Sequence, residues 1–285
     1  MNRRSAVVTG ASTGVGYATV RRLSSSGWEV WGGTRSENDA LRIERHAGVS
    51  SLRIEVTDEC SVKRAFEEVV TRRGSLGLDL LVVNAGIVVG GPLEYVSQSA
   101  WKQQLEVNVI GVALSIRYAL PLLRVCDQSR IVVVGSINSR IGLPLLSPYA
   151  ASKHALVGLL SSLRGELGPD GPRITLIEPG AIHTPLWEKV AQMSQQVDED
   201  LSPEARQLYG RFSEQAVQNT AEVKRNGLEP SRVADVIEKC ANRRYPPRRR
   251  LIGRDARMGA MLKIFLPGKL FDFLVRRSRS VRIST

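Results

Sequence analysis

The chain has 285 residues, enough for one large α/β domain with a substantial core, and its 42% hydrophobic and 24% charged residues are typical of a globular protein. No uninterrupted apolar run reaches the roughly 18 residues needed to cross a bilayer, and the N-terminus lacks the apolar stretch of a secretory signal, so we expect a cytoplasmic protein. The three cysteines and three histidines share no metal-ligand or disulfide spacing, which argues against a catalytic metal and against a disulfide framework.

The first two-thirds of the chain alternate short β-branched runs with longer helical patterns, which predicts a parallel sheet with crossover helices. The predicted strands, in chain order, are Ala6–Thr9, Glu29–Gly33, Ser51–Val56, Leu80–Val83, Arg130–Val134 and Ile174–Ile177. The predicted helices between them are Gly14–Ser26, Glu37–Ala47, Ser61–Arg73, Trp101–Val125 and Tyr149–Leu167. No repeat or low-complexity linker interrupts the pattern. It therefore predicts a single α/β domain with a doubly wound parallel sheet, similar to a Rossmann fold.

The last third of the chain has a different character. Ala181–Gly227 is polar and rich in glutamine, has no strand pattern, and is expected to form one or two mobile helices that bind substrate. A helix over Pro230–Arg243 and a short strand over Arg250–Ile252 follow, separated by two prolines. We therefore expect a catalytic domain over residues 1–253 and a C-terminal extension over residues 254–285.

A glycine-rich turn follows the first predicted strand and opens the first helix. Over Thr9–Gly16 the spacing of Gly10, Gly14 and Gly16 is G-x-x-x-G-x-G, unlike the commoner G-x-G-x-x-G. Glycines permit unusual backbone angles, and a helix N-terminus favours an anion such as pyrophosphate. A purely structural turn is the alternative, but its position in a βαβ pattern favours dinucleotide binding.

The second predicted strand ends without the carboxylate that would bind a ribose 2′-hydroxyl. Thr34 and Arg35 stand there instead. A guanidinium could hold a 2′-phosphate through charge-assisted hydrogen bonds, which predicts a preference for NADP(H) over NAD(H). A solvated surface arginine remains the alternative interpretation.

Five short motifs then occur in an order shared with a known enzyme family. They are the Thr9–Gly16 turn, Asn84-Ala85-Gly86, Asn108, Ser136 with Tyr149-x-x-x-Lys153, and Pro179-Gly180 with Thr184. On these motifs the segment from Ser5 to Thr184 resembles the short-chain dehydrogenase/reductase family in its ordinary single-domain form. The resemblance implies an NAD(P)-dependent enzyme that interconverts carbonyl and alcohol groups, with a small-molecule substrate and a homodimeric or homotetrameric assembly.

The resemblance also implies roles for individual residues. The catalytic set is Asn108, Ser136, Tyr149 and Lys153. In the family the counterpart of Lys153 also binds the nicotinamide ribose, and that of Asn108 holds a water in a proton relay. The implied cofactor contacts are Gly10, Ser12, Thr13, Gly14, Val15, Gly16, Thr34, Arg35, Glu55, Val56, Asn84, Ala85, Gly86, Tyr149, Lys153, Pro179, Gly180, Ile182 and Thr184.

Two positions depart from the family pattern. Glu55 replaces the aspartate that contacts adenine, and its extra methylene is expected to shift those contacts. Thr13 stands where members that prefer NADPH often carry a basic residue. Selection of the 2′-phosphate would then rest mainly on Arg35.

The tyrosine and lysine of the fourth motif can exchange a proton with substrate. A free tyrosine has a pKa near 10, too high for an acid–base switch at neutral pH. Lys153 lies four residues after Tyr149, so both side chains leave the same helix face. A nearby ammonium, together with oxidised nicotinamide, is expected to lower the pKa of the phenol. Ser136 could hydrogen-bond the substrate oxygen as its charge develops. A core tyrosine and a solvated lysine are the alternative.

The C-terminal segment is basic and amphipathic. Arg243–Thr285 contains thirteen Lys/Arg and two Asp/Glu, a local charge of +11 in a chain of net charge +12. An apolar stripe runs through it, formed by Met258, Met261, Leu262, Phe265, Leu266, Leu270, Phe273 and Leu274. The stripe could lie on an anionic membrane surface as a peripheral contact, or pack on its own domain or on a second subunit, which we consider the better alternative.

A tail of this character resembles the hydroxysteroid and retinol dehydrogenase branch of the family, whose substrates are large and apolar. We therefore expect an oxidoreductase that prefers NADP(H) and acts on a steroid-, retinoid- or lipid-like substrate. A 3-oxoacyl-thioester ketoreductase and a catalytically silent, cofactor-binding regulatory protein are the alternatives. No helix-turn-helix, RNA-binding or zinc signature accompanies the basic tail, so no nucleic-acid partner is expected.

Overall fold

A parallel sheet with its first strand near the middle organises the chain. The strands run across the sheet in the order β3-β2-β1-β4-β5-β6-β7, and every pairing is parallel. They are β1 (Ser5–Val8), β2 (Glu29–Thr34), β3 (Val49–Arg53), β4 (Leu80–Val83), β5 (Arg130–Val134), β6 (Arg173–Pro179) and β7 (Arg249–Ile252). This computed structural model describes residues 3–45, 49–188, 190–192, 202–209 and 212–278. The predicted doubly wound, Rossmann-like sheet is confirmed.

Helices cover both faces of this sheet. They are α1 (Gly14–Ser25), α2 (Glu37–Glu44), α3 (Glu59–Arg73), α4 (Gln98–Leu105), α5 (Gly111–Leu123), α6 (Ser147–Leu167), α7 (Pro203–Tyr209), α8 (Phe212–Asn226), α9 (Pro230–Asn242), α10 (Arg254–Phe265) and α11 (Gly268–Ser278). From β1 the chain adds β2 and β3 on one side of the sheet and then β4 to β7 on the other side, so the order of addition reverses between β1 and β4. In open sheets of this kind, ligands bind outside the carboxyl ends of the strands at such a reversal.

The alternation of side chains along β1 shows how the two layers of the core arise. Val7 belongs to an apolar cluster that includes Ile116 of α5, whereas Ala6 and Val8 belong to a second cluster with Ile237 of α9. Successive strand residues point to opposite faces, so a strand covered on both faces must be apolar throughout. The carboxyl ends of the strands are thereby held between two packed layers.

Three predicted boundaries need correction. The third strand spans Val49–Arg53 and not Ser51–Val56, so Glu55 follows the strand end. The predicted helix Trp101–Val125 is interrupted by a π-helical turn over Glu106–Ile110, between α4 and α5. The helix predicted over Glu37–Ala47 ends at Glu44, and Ala47 lies outside the described residues.

One helical stretch, Gln98–Leu123, is long and apolar enough to cross a membrane when judged by length and composition alone. Its residues Val112, Ile116, Ala119 and Leu123 are buried in the apolar cluster beneath the sheet. The stretch is therefore a core helix in this fold, because its apolar side already packs against the domain.

The polar segment expected over Ala181–Gly227 is helical where it is described, with α7 and α8 in its second half. It also makes one contact that the sequence did not predict. Ile182 and Leu228 form an isolated parallel bridge, which ties the two ends of the segment together.

The C-terminal helices present their apolar stripe to solvent. Their buried side chains are Ala256, Ala260 and Phe271. The predicted stripe residues are exposed, from 36% for Leu274 to 76% for Phe265, except for the half-buried Leu266. Packing of the stripe on its own domain, one of the two arrangements that we considered better, is therefore wrong. The domain is contacted instead by the alanine side of α10.

Candidate active site

The glycine turn has the backbone that the sequence predicts. Gly10 and Gly14 have φ values of +63° and +55°, a region that L-residues rarely adopt. A Cβ at Gly10 would lie 2.8 Å from the Cα of Ala85, and one at Gly16 would collide with the carbonyl of Gly10. No side chain caps the N-terminus of α1 at Thr13, so amide groups of its first turn remain available. This cradle fits a pyrophosphate.

Asn84 fastens the turn to the neighbouring strand. Its Nδ2 donates to the carbonyls of Thr9 and Gly10, at 3.1 and 3.0 Å. The Thr9 hydroxyl accepts from the backbone amides of Asn84 and Ala85, at 3.0 and 3.1 Å. The N-A-G motif therefore holds the glycine turn in place, which agrees with the stabilising role implied by the resemblance.

The residues expected around the adenosine lie at the ends of β2 and β3. Arg35 follows Thr34 of β2, is 70% exposed, and has its Nη1 3.9 Å from Oε2 of Glu55. Val56 is buried beside Glu55. Arg42 of α2, which sequence reasoning missed, donates from Nη2 to the carbonyl of Ser12 in the glycine turn and to Oδ1 of Asp39. Two guanidinium groups thus lie near the end of β2.

Ser136 and Tyr149 meet at the carboxyl end of β5. Ser136 is buried and caps the short 3-10 helix Ile137–Ser139, where its hydroxyl accepts from the amide of Asn138 at 3.2 Å. Tyr149 lies in the first turn of α6 and is hydrogen-bonded to Ser136. The two hydroxyl groups expected to flank a substrate oxygen are therefore adjacent.

Lys153 is buried one turn along α6 from Tyr149. Its Nζ donates to the carbonyl of Val134 at 3.0 Å and lies 5.6 Å from the centroid of the Tyr149 ring. Burial lowers the pKa of Lys153 to about 8, because the ammonium loses its hydration. The predicted adjacency of the two side chains is present, with the ammonium anchored on the end of β5.

Lys153 alone does not produce the expected decrease in the pKa of Tyr149. Burial raises this pKa to about 12, and the hydrogen bond with Ser136 lowers it by less. Desolvation disfavours both charged forms, the phenolate of Tyr149 and the ammonium of Lys153. In the protein alone, Tyr149 is therefore protonated at neutral pH.

Asn108 lies in the π-helical turn and is buried. Its Oδ1 accepts from the amide of Ile87 at 2.9 Å, and its Nδ2 donates to the carbonyl of Ile87 and to Oγ of Ser152, at 3.0 and 3.1 Å. The Ser152 hydroxyl donates to the carbonyl of Tyr149 at 2.7 Å. A chain of hydrogen bonds thus runs from the loop after β4 to the catalytic helix.

Gln104 extends this network and was not predicted. Its Oε1 accepts from the amide of Val89 at 2.6 Å, and its Nε2 donates to the carbonyl of Ile87 at 3.0 Å. It precedes Asn108 by four residues, and Ser152 follows Tyr149 by three. Helical spacing relative to the catalytic residues was therefore the signal that could have found both side chains.

The loop after β6 is fixed by β7 and by the start of the C-terminal extension. The amide of Gly180 donates to the carbonyl of Ile252 at 2.9 Å, and the amide of Ala181 donates to Oδ2 of Asp255 at 2.8 Å. A Cβ at Gly180 would collide with the Asp255 carboxylate. Further along, a Cβ at Gly14 would lie 3.0 Å from Cγ2 of Thr184, so this loop meets the glycine turn.

Glu178, beside this loop, is a fully buried carboxylate with two arginine partners. Arg140 donates to its Oε2 from Nε at 2.9 Å, and Arg249 of β7 does so from Nε at 3.1 Å. Arg140 directly follows the short helix that Ser136 caps. The charge cluster therefore joins the serine turn to the end of β6, and neither its position nor its pairing was predicted from sequence.

Apolar side chains border Tyr149 on its outer side. A small cluster of buried and half-buried residues contains Val88, Leu143, Leu146, Leu186 and Val190 together with Tyr149. These residues come from the loops after β4 and β5 and from the segment after β6. The Tyr149 ring is therefore in apolar surroundings.

The comparisons with known proteins agree with this geometry. The family model for short chain dehydrogenases matches residues 4–195. The chain is similar to an uncharacterized oxidoreductase, YusZ, of Bacillus subtilis, with 32% identity over 97% of this chain and 99% of that one. It is also 30% identical to the NADPH-dependent 3-dehydrocapnine reductase of Ornithobacterium rhinotracheale, over 94% and 95% of the two chains. Human 17-beta-hydroxysteroid dehydrogenase type 1 is 32% identical over 83% and 74%.

A solved structure also matches closely. A short chain dehydrogenase/reductase of Burkholderia phymatum in complex with NAD has a TM-score of 0.76 and 25% identity, and the match covers 92% of each chain. The family match spans the glycine turn, Ser136, Tyr149 and Lys153. The chain therefore belongs to the short chain dehydrogenase family and is an oxidoreductase that acts on carbonyl or alcohol substrates with a nicotinamide dinucleotide cofactor.

Proposed function

We propose that the protein is a carbonyl reductase that prefers NADPH and acts on an apolar substrate. The observation that carries the proposal is the hydroxyl of Tyr149, a half-buried side chain, which is hydrogen-bonded to Ser136 and bordered by apolar side chains. A hydroxyl pair at the carboxyl end of β5 suits a ketone oxygen that becomes an alkoxide. We assign catalysis to a domain that ends near Gly253, with the C-terminal extension as a separate element.

The proton chemistry follows from the environment of Tyr149. When bound, the nicotinamide supplies the hydride. Tyr149 then donates its phenolic proton to the substrate oxygen, while Ser136 hydrogen-bonds that oxygen as its negative charge develops. The pKa of Tyr149, raised by burial to about 12 in the protein alone, keeps the phenol protonated at neutral pH, so it holds the proton that reduction consumes. Lys153 stabilises the resulting phenolate through its positive charge.

Asn108 acts in this proposal as a positioning residue. Both hydrogens of its side-chain amide are already donated, to Ile87 and to Ser152. Since Ser152 in turn bonds the carbonyl of Tyr149, Asn108 sets the position of the catalytic turn. In this proposal a water of a proton relay would bind the backbone carbonyl of Asn108. A π-helical turn changes the regular pattern of backbone hydrogen bonds, so this carbonyl can accept from a water.

The preference for NADPH is proposed from two arginines. Arg35 and Arg42 lie after β2, whose end carries Thr34 and Arg35 instead of a carboxylate, and Arg42 already contacts Ser12 of the glycine turn. Arginine binds phosphate groups bidentately. The NADPH-dependent relative supports the same choice.

The substrate is proposed to be steroid-, retinoid- or lipid-like. Leu143, Leu146 and Leu186 beside Tyr149 would bury apolar surface of such a molecule, and the human relative is named a hydroxysteroid dehydrogenase. A 3-oxoacyl thioester is the second candidate, because the basic C-terminal segment could attract the phosphates of its carrier. We propose a homodimer or homotetramer in the cytoplasm, with peripheral membrane contact.

The test is a screen of NADPH and NADH oxidation with the full chain against ketosteroids, retinal, long-chain ketones and acetoacetyl thioesters. The proposal expects turnover of an apolar ketone or aldehyde with NADPH, and none with Tyr149→Phe. Turnover of thioesters alone would identify the second candidate. Cofactor binding without any turnover would indicate a regulatory protein instead.

A further inference from the structure

The helix pair at the C-terminus carries an unusual concentration of exposed apolar residues. Eight large apolar side chains that follow Gly253 are exposed, and they lie within seventeen consecutive positions. We call them the apolar face: Met258, Met261, Leu262, Ile264, Phe265, Leu270, Phe273 and Leu274. The other exposed large apolar residues of the described chain are spread from Leu41 to Tyr245. A contiguous exposed apolar patch marks an interaction surface, whereas scattered ones do not.

The apolar face is presented on an anchored support. Ala256 and Ala260 of α10 are buried, and Asp255 at the start of α10 accepts the hydrogen bond from the amide of Ala181. Phe271 of α11 is buried, and the Nζ of Lys263 lies 4.8 Å from the centroid of its ring. Since Ala256, Ala260 and Phe271 hold these helices to the rest of the fold, the exposed apolar side chains are left to contact something else.

The charge around the apolar face selects its partner. Arg254, Arg257, Lys263 and Lys269 are exposed on the same two helices, and none of them is in an ion pair with any residue that the structure describes. The segment Arg243–Thr285 holds +11 of the net charge of +12. A second copy seated on this face would bring two such segments together, and like charges at close range repel.

We propose that the apolar face docks on the surface of an anionic lipid bilayer. Apolar side chains flanked by cations on short helices are the pattern of interfacial helices, in which the apolar side enters the headgroup region and the cations contact anionic lipid. The proposal deepens the peripheral membrane contact of the proposed function by naming its face and its lipid charge.

Docking would also bring the membrane close to the active site. α10 begins directly after β7 and holds the loop at Gly180 through Asp255. A Cβ at Gly259 of α10 would lie 3.5 Å from Cδ1 of Ile141, in the loop between Ser136 and Tyr149. This part of the inference rests on the proposed function: an apolar substrate dissolved in the bilayer would then be close to the catalytic turn.

Vesicle sedimentation with the full chain tests the docking surface. We expect the protein to pellet with phosphatidylcholine/phosphatidylglycerol vesicles, to stay in solution with phosphatidylcholine alone, and to be released at about 0.5 M salt, where the Debye length is only a few ångströms. Failure to pellet with the anionic vesicles at low salt would overturn the proposal. Equal binding to both kinds of vesicle would overturn the selection by lipid charge.

Surface variants locate the contact. Ile264→Ser/Phe265→Ser should abolish sedimentation, and Lys269→Glu should weaken it at least fivefold, since one cation near an anionic surface contributes about fivefold to partitioning. The controls on α3, Val70→Ser and Arg64→Glu, change an exposed apolar residue and an exposed cation elsewhere and should bind as the wild type does. Loss of binding in the controls as well would contradict the assigned face.

Two further measurements separate this inference from its alternatives. Tyr149→Phe should sediment like the wild type, because it changes no residue of the apolar face. The docking result can therefore be interpreted even if the proposed catalysis is wrong. Light scattering reports the oligomeric state of Ile264→Ser/Phe265→Ser. A change from oligomer to monomer, without a change in vesicle binding, would assign the apolar face to subunit contact and overturn the proposal.

Discussion

Tyr149 and Lys153 share a buried site that disfavours the charged form of each. Burial raises the pKa of the phenol to about 12 and lowers that of the ammonium to about 8. Their hydrogen bonds run to Ser136 and to the carbonyl of Val134, so each side chain is held by a neighbour at the end of β5. In the protein alone, the phenol therefore retains its proton at neutral pH, as a proton donor must.

Removal of this proton tests the assignment directly. We expect Tyr149→Phe to lower kcat by about 10²–10⁴-fold, the usual contribution of a general acid, and to leave the Kd of NADPH nearly unchanged because the ring volume stays. Steady-state kinetics and fluorescence titration measure the two quantities. Ser136→Ala should retain the phenol and lose less activity. A normal rate for Tyr149→Phe would refute the mechanism.

Lys153 should make stability depend on pH. Its folded pKa of about 8 lies below the ordinary 10.5, so the unfolded chain binds more protons between these values and stability rises with pH there. Relative to Lys153→Met, the wild type should gain about 2 kcal/mol of unfolding free energy between pH 7 and about pH 9.5. Urea denaturation at both pH values measures it. Parallel curves for the two proteins would contradict the burial of the ammonium.

The two guanidinium groups after β2 provide a test of cofactor choice. Arg35→Ala should weaken binding of NADPH by about 1–3 kcal/mol, the scale of a lost charged hydrogen bond, and leave NADH nearly unaffected. Arg42→Ala, which also removes the bond to Ser12 of the glycine turn, should weaken NADPH more than NADH. Isothermal titration with both cofactors separates the outcomes. Arg45→Ala, on the same segment, is the control. Equal losses for NADPH and NADH would show that neither side chain binds the 2′-phosphate.

Asp255 is expected to act on cofactor binding from outside the family motifs. Asp255→Ala removes the acceptor of the Ala181 amide and should raise the Kd of the cofactor several-fold, for a loss of about 1 kcal/mol at this solvent-accessible carboxylate. Asp255→Asn keeps an acceptor oxygen and should be milder. Asp272→Ala, the other acidic position of the tail, should bind normally. Identical Kd values for all three would contradict the role of this contact in holding the loop.

At the scale of elements, the apolar periodicity of the sequence predicted most of the strands. It did not predict the interruption of the longest predicted helix, Trp101–Val125. Apolar runs identify strands because parallel strands are covered on both faces. In the π-helical turn over Glu106–Ile110, the side-chain oxygen of Asn108 accepts from the backbone amide of Ile87, and a partner in another part of the chain leaves no local signature in the sequence. The predicted end of β3 was wrong for another reason. Ile54 is apolar and buried although it lies beyond the last residue paired in the sheet, so the apolar pattern extends past the strand.

The C-terminal helices show the same limit. The stripe from Met258 to Leu274 was visible in the sequence, but amphipathic periodicity identifies an apolar side without identifying what covers it. In the structure the small side chains of Ala256 and Ala260 contact the domain. Asp255 had no signal at all, since its partner Ala181 lies 74 positions away.

Truncation distinguishes the two helices. Removal of residues 254–285 takes away Asp255, so we expect weaker cofactor binding, although the seven strands are complete by Ile252. Removal of residues 267–285 keeps α10 and should leave the Kd of the cofactor unchanged. Fluorescence titration of both forms, with circular dichroism as a check of folding, measures this. Normal affinity in the shorter form would show that the loop at Gly180 needs no support from α10.

At the scale of the whole molecule, the net positive charge and the catalytic candidates lie in different parts of the chain. The first 242 residues, which contain all four catalytic candidates, carry a net charge of only +1, whereas Arg243–Thr285 carries +11. A chain charged at one end turns in an external field, so a negatively charged surface would orient the molecule before contact. The catalytic domain itself can then evolve a pocket for an uncharged substrate without opposing that attraction.

The strand order has a consequence for synthesis on the ribosome. β1 is the first strand to leave the ribosome, and its neighbours in the sheet are β2 and β4. β4 begins only at Leu80, so β1 lacks one of its partners until that part of the chain has been made. The glycine turn after β1 is fastened by Asn84, so the nucleotide cradle cannot close on a nascent chain shorter than about this length. Non-local parallel pairing of this kind folds slowly and leaves strand edges open to aggregation. Slower translation between β3 and β4 would prolong that exposed state, whereas slower translation after β7 would not.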